Sequence, residues 1–370
     1  MTIRMRTERR TGPEVAWRRM GAVRATPTGG ARPKTARLGE LDALRGLAAL
    51  AVVAFHYTTS YAQQVGHLQP LGFGFTPGNY GVHLFFLISG YVIFMTLEHT
   101  RDGMDFVVSR FSRLYPAYWF CIAVTAAVVA AIGLPAQQLA PAELALNLTM
   151  VQQFLGGEHL DGSYWTLQVE LFFYAQMLLW FMLGQLRHIH WIIAAWLVLA
   201  MAHGLVSADG QHFSYTVREL LILRHIPFFA LGIVFYRLHQ QRSGRDLDIA
   251  MIGLCLVAIG IANGPVLLLV ALVCTTVFAL FVAGRLRFLC IGPFAWLGAI
   301  SYPLYLLHQA IGFALIHRLE QRGVPSLAAV GLAVVVALSL ATAVNRWVER
   351  PAMEAIRRTW RRQRERLATA

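Results

Sequence analysis

An arginine and a histidine lie inside the first long apolar segment, LDALRGLAALAVVAFHY. Arg45 and His56 are eleven positions apart, which on an α-helix is three turns plus about 20° and a rise of roughly 16 Å. They therefore share one face at different depths. An arginine binds phosphate oxygens well, and a neutral histidine can accept a proton. The spacing suits a long ligand with an anionic head and a reactive far end, although a snorkelling arginine and a hydrogen-bonded helix histidine would share it.

Three further charged residues occur in or beside apolar segments. Arg110 and Arg113, in RFSRLYPAYW, are three positions apart and share one helix face. They could bind an anion, and basic residues at the cytoplasmic end of a span are also common. Glu170, in SYWTLQVELFFY, lies about 9 Å inside its segment by helix rise. A carboxylate at that depth is paired or protonated, so we expect a histidine or arginine partner.

A second group of polar and aromatic residues lies near the ends or the middle of other apolar segments. His308 follows Ser301 and Tyr305 on one helical stripe in ISYPLYLLHQ. The others, each at the start of a segment, are His83, Trp165, Arg224 and His225. Arg224 and His225 could face an acceptor cavity. Simple structural roles also fit: an interface histidine, a snorkelling arginine and a tryptophan of the interfacial aromatic belt.

The elements that must position these residues are transmembrane helices. Ten apolar segments approach the roughly 20 residues that a bilayer requires: 42–61, 81–98, 114–133, 163–183, 190–206, 220–237, 247–263, 266–284, 300–318 and 327–347. Hydrophobic residues make up 57% of the chain and charged residues 14%, and the mean hydropathy is +0.53. We predict an all-α polytopic integral membrane protein with about ten transmembrane helices. An ordinary cytosolic enzyme, a disordered regulator and a secreted disulfide scaffold are excluded.

The net charge of +13 indicates how the chain is oriented in the membrane, and its distribution argues against a nucleic-acid partner. With both termini in the cytoplasm, 28 of the 32 basic residues fall on the inner side and four on the outer side. Short basic loops stay cytoplasmic, so both termini are predicted to be cytoplasmic. Residues 1–37 are predicted to be a disordered Arg-rich extension, 38–350 the membrane domain, and 351–370 a basic amphipathic tail at the inner surface.

Common cofactor and metal motifs are missing from the sequence. It has no Walker loop, no GxGxxG before a soluble helix and no HExxH. The four cysteines, Cys121, Cys255, Cys274 and Cys290, are far apart in sequence and indicate neither a disulfide framework nor a zinc site. We therefore expect no metal.

Taken in order, five motifs resemble membrane acyltransferase family 3, the bacterial integral-membrane O-acyltransferases. The resemblance covers about 38–351. The first motif is the spacing from Arg45 to His56, and the second is the Gly-Val and FF-x-x-S-G of the second segment, at Gly81, Val82, Phe85, Phe86, Ser89 and Gly90. The third is the double arginine, Arg110 and Arg113, and the fourth is Trp-Thr-Leu-x-x-Glu, at Trp165, Thr166, Leu167 and Glu170. The fifth is Ser-Tyr-x-Leu-Tyr-x-x-His, at Ser301, Tyr302, Leu304, Tyr305 and His308. His83 departs from the family, which often has an acidic residue there.

The resemblance implies a multi-pass enzyme of the bacterial inner membrane that O-acylates a hydroxyl. The acyl donor would be acyl-CoA, most often acetyl-CoA, with its phosphates on Arg45, Arg110 and Arg113. We expect His56 to be the general base, Glu170 to orient it or stabilise its imidazolium form, and His308 either to support it or to contact the oxyanion. The acceptor would be a glycan, glycolipid or small hydroxyl compound near the outer group His83, Trp165, Arg224 and His225. A transient acyl-histidine is the rival chemistry.

Two other function classes also place polar residues inside apolar segments. A proton-coupled transporter or flippase would carry His, Glu and Arg within its spans, and would move substrate without CoA. A haem-binding membrane cytochrome would need paired axial histidines, for which His56, His83 and His308 are candidates. The different depths of these histidines and the arginine pair disfavour the cytochrome.

Overall fold

The computed structural model describes residues 39–134, 137–211, 213–240 and 244–369. Within these ranges the chain forms helices joined by turns and loops, without β-strands. The prediction of an all-α membrane fold is confirmed. The predicted extension at residues 1–37 lies outside the described residues.

The helices are numbered in chain order. They are α1 (Gly39–Phe55), α2 (Tyr61–Gln64), α3 (Gly81–Glu98), α4 (Gly103–Ile132), α5 (Pro141–Asn147), α6 (Trp165–Met182), α7 (Ile189–Ala208), α8 (Tyr215–Leu220), α9 (Ile226–His239), α10 (Arg245–Val282), α11 (Gly292–Gln321), α12 (Ser326–Val344) and α13 (Arg350–Thr369). Two π-helical turns, His56–Ser60 and Asn345–Glu349, extend α1 and α12. Short 3₁₀ turns occupy Thr76–Tyr80, Gly162–Tyr164, Gln185–His188 and Arg287–Cys290.

Seven helical stretches in the described part of the chain are long and apolar enough to cross a membrane. They are Gly39–Gln64, Thr76–Glu98, Gly103–Ile132, Gln185–Ala208, Arg245–Val282, Gly292–Gln321 and Ser326–Leu367. All ten predicted segments overlap helices. Eight of them fall in these seven stretches, since α10 contains two, and the other two correspond to α6 and the shorter apolar α9. The count of ten crossings and the cytoplasmic termini stay predictions.

The long helix α10 bends back on itself at Gly264. Gly264 has φ 82° and ψ −179°, a combination that glycine adopts without strain, and Pro265 follows it. A methyl group placed on Gly260 would lie 3.4 Å from Leu268 Cδ2, whereas residues eight apart in a straight helix are separated by about 12 Å. α10 therefore consists of two arms, as its two predicted apolar segments, 247–263 and 266–284, suggested.

Helix α11 lies at the centre of the bundle and α10 at its edge. In the apolar window of α11, 78% is buried inside the protein, against 22% in α10. α11 packs against α1, α4 and α12, and α3 packs between α1, α6 and α9. Because α1, α3, α4, α6 and α11 surround one another, the polar residues predicted on these helices can face a common interior.

The basic C-terminal segment is helical and continues from α12 through the Asn345–Glu349 turn. This helix, α13, lies along the beginning of α4. The Trp360 indole donates a hydrogen bond to Asp105 Oδ1 over 2.7 Å, and Arg364 forms an ion pair with the same carboxylate. The C-terminal helix is therefore attached to the membrane domain by specific side-chain contacts.

Candidate active site

A cavity of about 100 Å³ lies between α1, α3, α4, α6 and α11. We call it the arginine cavity, because three arginines from two helices line it. The polar side chains of its walls are Arg45, Arg110, Arg113, Thr166, Glu170, Tyr174, Ser301, Tyr302 and Tyr305. The three predicted anion-binding arginines and Glu170 are thus brought together from α1, α4 and α6.

The guanidinium groups of the arginine cavity are held by aromatic and carboxylate neighbours. Arg113 forms an ion pair with the buried Glu349 of the second π turn, and its guanidinium lies over the Tyr302 ring at 5.8 Å. Arg110 lies 6.0 Å from the centre of the Tyr174 ring. Its Nε is buried and has no hydrogen-bond partner in the described part of the chain. An unpartnered guanidinium N–H beside a cavity favours binding of an anion there.

Glu170 belongs to the arginine cavity and not to the surroundings of His56. Its Oε1 accepts hydrogen bonds from Ser89 Oγ over 2.8 Å and from the Tyr174 hydroxyl. No hydrogen bond joins Glu170 and His56 among the described residues. The expected carboxylate–histidine contact is therefore absent for this pair, and Glu170 lies where it offsets the charge of the arginines.

His56 instead contacts His308, the residue that the sequence places on α11. His308 Nε2 lies 3.2 Å from His56 Nδ1, and the ring centres are 4.8 Å apart in an edge-on arrangement. His56 is the first residue of the π turn, and the next residue, Tyr57, donates its hydroxyl hydrogen bond to the His308 carbonyl over 2.7 Å. Two contacts thus fix the position of the π turn against α11.

The hydrogen-bond partners of this pair define which nitrogen carries a proton in each neutral ring. His308 Nδ1 lies 2.8 Å from the Tyr305 carbonyl, which can only accept, so His308 is protonated at Nδ1 and its Nε2 is an acceptor. His56 Nδ1 lies 2.9 Å from the Val52 carbonyl and faces the acceptor Nε2 of His308, so Nδ1 of His56 also carries its proton. The remaining nitrogen, His56 Nε2, is left with a lone pair.

The arginine cavity and the histidine pair are joined by one layer of side chains. Tyr305 lines the cavity, and its ring centre is 5.6 Å from that of His308. The Tyr305 hydroxyl accepts a hydrogen bond from Thr166 over 2.9 Å, which links α6 to α11 at this point. Val52, one turn before His56, packs with Val82 and Tyr305. The face of α1 between Arg45 and His56 is therefore connected to the cavity wall, because Val82 and Tyr305 both line the cavity.

Asp161 is a buried carboxylate near the histidine pair that the sequence reading missed. It is 1% exposed and accepts hydrogen bonds from the Ser163 amide and hydroxyl and from the Ala310 amide. Burial raises the pKa of Asp161, and these hydrogen bonds oppose the increase. Asp161 and His56 lie close enough to interact electrostatically. Asp161 precedes an apolar segment within the polar stretch GGEHLDGS, so no hydropathy signal marks it as buried.

Three of the four residues predicted on the acceptor side form an aromatic cluster. The His225 ring lies 5.3 Å from Trp165 and 5.2 Å from Phe86, and the His83 ring lies 4.6 Å from Phe228. His225 Nδ1 is buried and has no hydrogen-bond partner among the described residues. Arg224, by contrast, is exposed. The cluster borders the arginine cavity through Phe86, which lines it.

The sequence has recognisable relatives among known proteins. The family model of the acyltransferase domain matches residues 38–346. The chain is 28% identical over 178 residues to "Acyltransferase MdmB" of Streptomyces mycarofaciens, a match that covers 44% of this chain and 44% of that protein. It is 25% identical over 307 residues to "Putative membrane-bound transacylase BcsY" of Komagataeibacter xylinus, covering 75% of this chain and 73% of that protein. No solved structure matches the chain.

Proposed function

Because the chain belongs to the acyltransferase domain family, and is therefore a multi-pass membrane acyltransferase, we propose that it transfers an acyl group from acyl-CoA to a hydroxyl of a sugar, glycan or other acceptor. The observation that carries the proposal is that Tyr305, a wall residue of the arginine cavity, contacts His308, which in turn contacts His56. In our proposal the protein lies in the bacterial inner membrane with its arginine end toward the cytoplasm, and the acyl group is most often acetyl.

Charge and spacing support a CoA donor. The phosphates would bind Arg45, Arg110 and Arg113, whose guanidinium groups can each donate two or more hydrogen bonds to phosphate oxygens. The pantetheine arm would then run along the Arg45–His56 stripe, a rise of about 16 Å, and would place the thioester at His56. Glu170 would limit the mutual repulsion of the arginines while the donor is absent.

The proposed chemistry is direct acyl transfer with His56 as general base. His56 Nε2 takes the proton of the acceptor hydroxyl as that oxygen attacks the thioester carbonyl carbon. The new C–O bond forms, the C–S bond breaks, and the proton on His56 passes to the leaving thiolate, which gives an ester and free CoA. The rival path, in which His56 Nε2 attacks the thioester and carries the acyl group, uses the same nitrogen.

His308 and Asp161 would serve His56 in different ways. His308 Nε2 accepts from His56 Nδ1 and so keeps the lone pair on the nitrogen that faces the reaction. Asp161 supplies a negative charge that favours the imidazolium form of His56 once the proton has been taken. Both would act as positioning residues, since neither needs to touch the substrate.

The aromatic cluster of His83, Trp165 and His225 would receive the acceptor. Aromatic faces stack against the apolar faces of sugar rings, and the unpartnered Nδ1 of His225 could bond to a hydroxyl. In this proposal the exposed Arg224 lies at the entrance. A glycan, a glycolipid or a small hydroxyl compound fits this chemistry.

The test is transfer of label from radiolabelled acetyl-CoA in membranes that contain the wild type or His56→Ala at matched expression, followed by separation of lipid and glycan fractions. Removal of a general base is expected to lower the rate by about 10²- to 10⁴-fold. His99→Ala is the matched control, because His99 is an exposed histidine whose Nδ1 bonds only to the Met95 carbonyl of its own helix.

Label that depends on His56 and survives in His99→Ala would support the proposal. Full transfer by His56→Ala would contradict the assignment of the base. Binding of CoA without transfer to any fraction would leave the donor site in place and contradict the acyl-transfer reaction. Movement of a substrate across the membrane without CoA would support the transporter alternative instead.

A further inference from the structure

The C-terminal helix α13 lies next to the arginine cavity. It is attached to the first turn of α4 by Trp360 and Arg364, which both contact Asp105. One turn before Trp360 on α13, Arg357 reaches the next turns of α4. Its Nε donates to Ser112 Oγ over 3.1 Å, and its Nη2 donates to the Ser109 carbonyl over 3.3 Å.

These contacts place Arg357 on the stretch of α4 that carries two arginines of the cavity. Ser109 and Ser112 each precede one of them, Arg110 and Arg113 respectively. The Arg357 guanidinium is close enough to those of Arg110 and Arg113 to be repelled by both. Arg357 therefore extends the positive charge of the arginine cavity onto a third helix, α13.

The local charge balance of this cluster is positive. Among the described residues, Arg113 has a carboxylate partner in Glu349, whereas neither Arg357 nor Arg110 forms an ion pair. Like charges at short range are unfavourable, and a partly buried cluster of them is stabilised by a polyanion. Phosphate suits three guanidinium groups especially well, because each can donate parallel N–H bonds to its oxygens.

We propose that Arg357 of the C-terminal helix is a phosphate-binding residue of the donor site, so that α13 and α4 together bind the phosphorylated end of the donor. This inference rests on the proposed acyl-CoA reaction and assigns to it a residue outside the membrane-spanning motifs. The tail is then part of the enzyme's donor specificity: it favours donors whose acyl carrier ends in nucleotide phosphates over acylated pantetheine, which lacks them.

The experiment compares Arg357→Gln with Arg358→Gln in the full-length protein. Arg358 is the adjacent, exposed arginine on the same helix, so its variant removes the same charge from α13 while the hydrogen bonds of Arg357 to α4 stay in place. Binding of CoA to purified protein in phosphatidylcholine nanodiscs is measured by calorimetry, and kcat/KM is measured with acetyl-CoA and with acetyl-pantetheine.

We expect Arg357→Gln to weaken CoA binding about tenfold or more, because bonds between charged groups are lost, while Arg358→Gln binds like the wild type. The drop in kcat/KM should appear with acetyl-CoA and not with acetyl-pantetheine. Equal losses with both donors, together with a lower unfolding temperature, would overturn the proposal and make Arg357 a structural residue.

Two further outcomes are informative. If Arg357→Gln binds CoA like the wild type and differs only after phosphatidylglycerol is added to the nanodiscs, the phosphate is that of a lipid headgroup and the proposal fails. If the wild type itself does not bind CoA, the proposed donor fails first, which is a result distinct from loss in Arg357→Gln alone.

Discussion

At the residue scale, the environment of His56 is built from groups that lie on three different elements. His308 on α11 sets its tautomer, Val52 on α1 holds its Nδ1 proton, and Asp161 before α6 supplies negative charge. Such an arrangement separates orientation from charge stabilisation. A variant of Asp161 should therefore affect the chemical step while the donor still binds.

We expect Asp161→Asn to lower kcat about tenfold or more, with little change in KM for acetyl-CoA, because Asp161 acts on the imidazolium that forms during transfer. The pH dependence gives a second readout. Burial raises the pKa of Asp161, so its negative charge is lost at a higher pH than for an exposed aspartate. Activity of the wild type should fall as the pH drops through that pKa.

The acidic limb attributable to Asp161 should be missing from the rate profile of Asp161→Asn, which has no carboxyl to titrate. Asp209→Asn, at an exposed position, serves as the control and should keep both the rate and the limb. An unchanged kcat in Asp161→Asn would remove Asp161 from the mechanism.

The residues that the sequence could identify are those whose charge is conspicuous in an apolar segment. Arg45, His56, Glu170 and His308 were singled out in this way, because an ionisable group in a membrane span is energetically costly and is therefore a candidate for function. Asp161 carries no such signal, since its neighbours in sequence are polar and its burial comes from α11. Glu170 was expected to orient His56; it accepts hydrogen bonds from Ser89 and Tyr174, while packing of α1 on α11 brings His308 against His56.

At the element scale, the π turn at His56–Ser60 orients the His56 side chain toward His308. A π turn contains one more residue per turn than an α-helix and commonly occurs at functional sites. Tyr57 in this turn is fully buried, and a methyl group on Gly312 of α11 would lie 2.3 Å from its hydroxyl oxygen. Gly312 thus allows the close approach on which the Tyr57–His308 hydrogen bond depends.

We expect Gly312→Ala to destabilise the protein by about 1–3 kcal/mol, because the added methyl group must displace Tyr57, and to lower transfer activity as the π turn shifts. Gly331→Ala is the matched control, since Gly331 also lies inside a helix but has no atom within 4 Å of an added Cβ. Thermal unfolding in detergent and label transfer measure both effects. Equal behaviour of the two variants would show that the π turn tolerates movement.

Sequence periodicity located the helices well and their irregularities poorly. The break at Gly264 was visible, because Gly-Pro separates two apolar runs. The two π turns were not, since they depend on contacts with α11 and α4 that no local pattern reports. The C-terminal tail was read as an amphipathic surface helix, and only the folded chain shows its bonds to Asp105 and Ser112.

At the scale of the whole molecule, the order of the arginine cavity and the histidine pair gives the bundle a direction, since Arg45 lies near the start of α1 and His56 follows its last residue. Cys290 lies at the same end as the arginines, next to the first residue of α1. A methyl group added to that residue, Gly39, would be 3.0 Å from Cys290 Sγ. Cys290 is exposed, and the other three cysteines are buried. The natural sequence therefore carries one accessible thiol for measuring orientation.

We expect a membrane-impermeant maleimide to label Cys290 in inverted membrane vesicles and not in intact spheroplasts, with Cys290→Ser as the unlabelled control. Partial desolvation and the Glu40 carboxylate raise the pKa of the Cys290 thiol, so labelling should accelerate as the pH rises, and Glu40→Gln should accelerate it at neutral pH. Labelling in spheroplasts would reverse the predicted orientation and place the donor site outside the cytoplasm.

The contact between His56 and His308 joins residues 252 positions apart in the chain. During synthesis, α1 enters the membrane early and α11 near the end, while Arg45, Arg110, Arg113 and Glu170 have all been made within the first half. A ribosome-bound intermediate can therefore assemble charges of the donor cavity long before its base has an orienting partner. Under the proposed mechanism, a stalled or prematurely released chain lacks His308, the α11 wall of the arginine cavity and Arg357, so it neither orients its base nor completes its donor site, and enzymatic activity begins only when insertion is nearly complete.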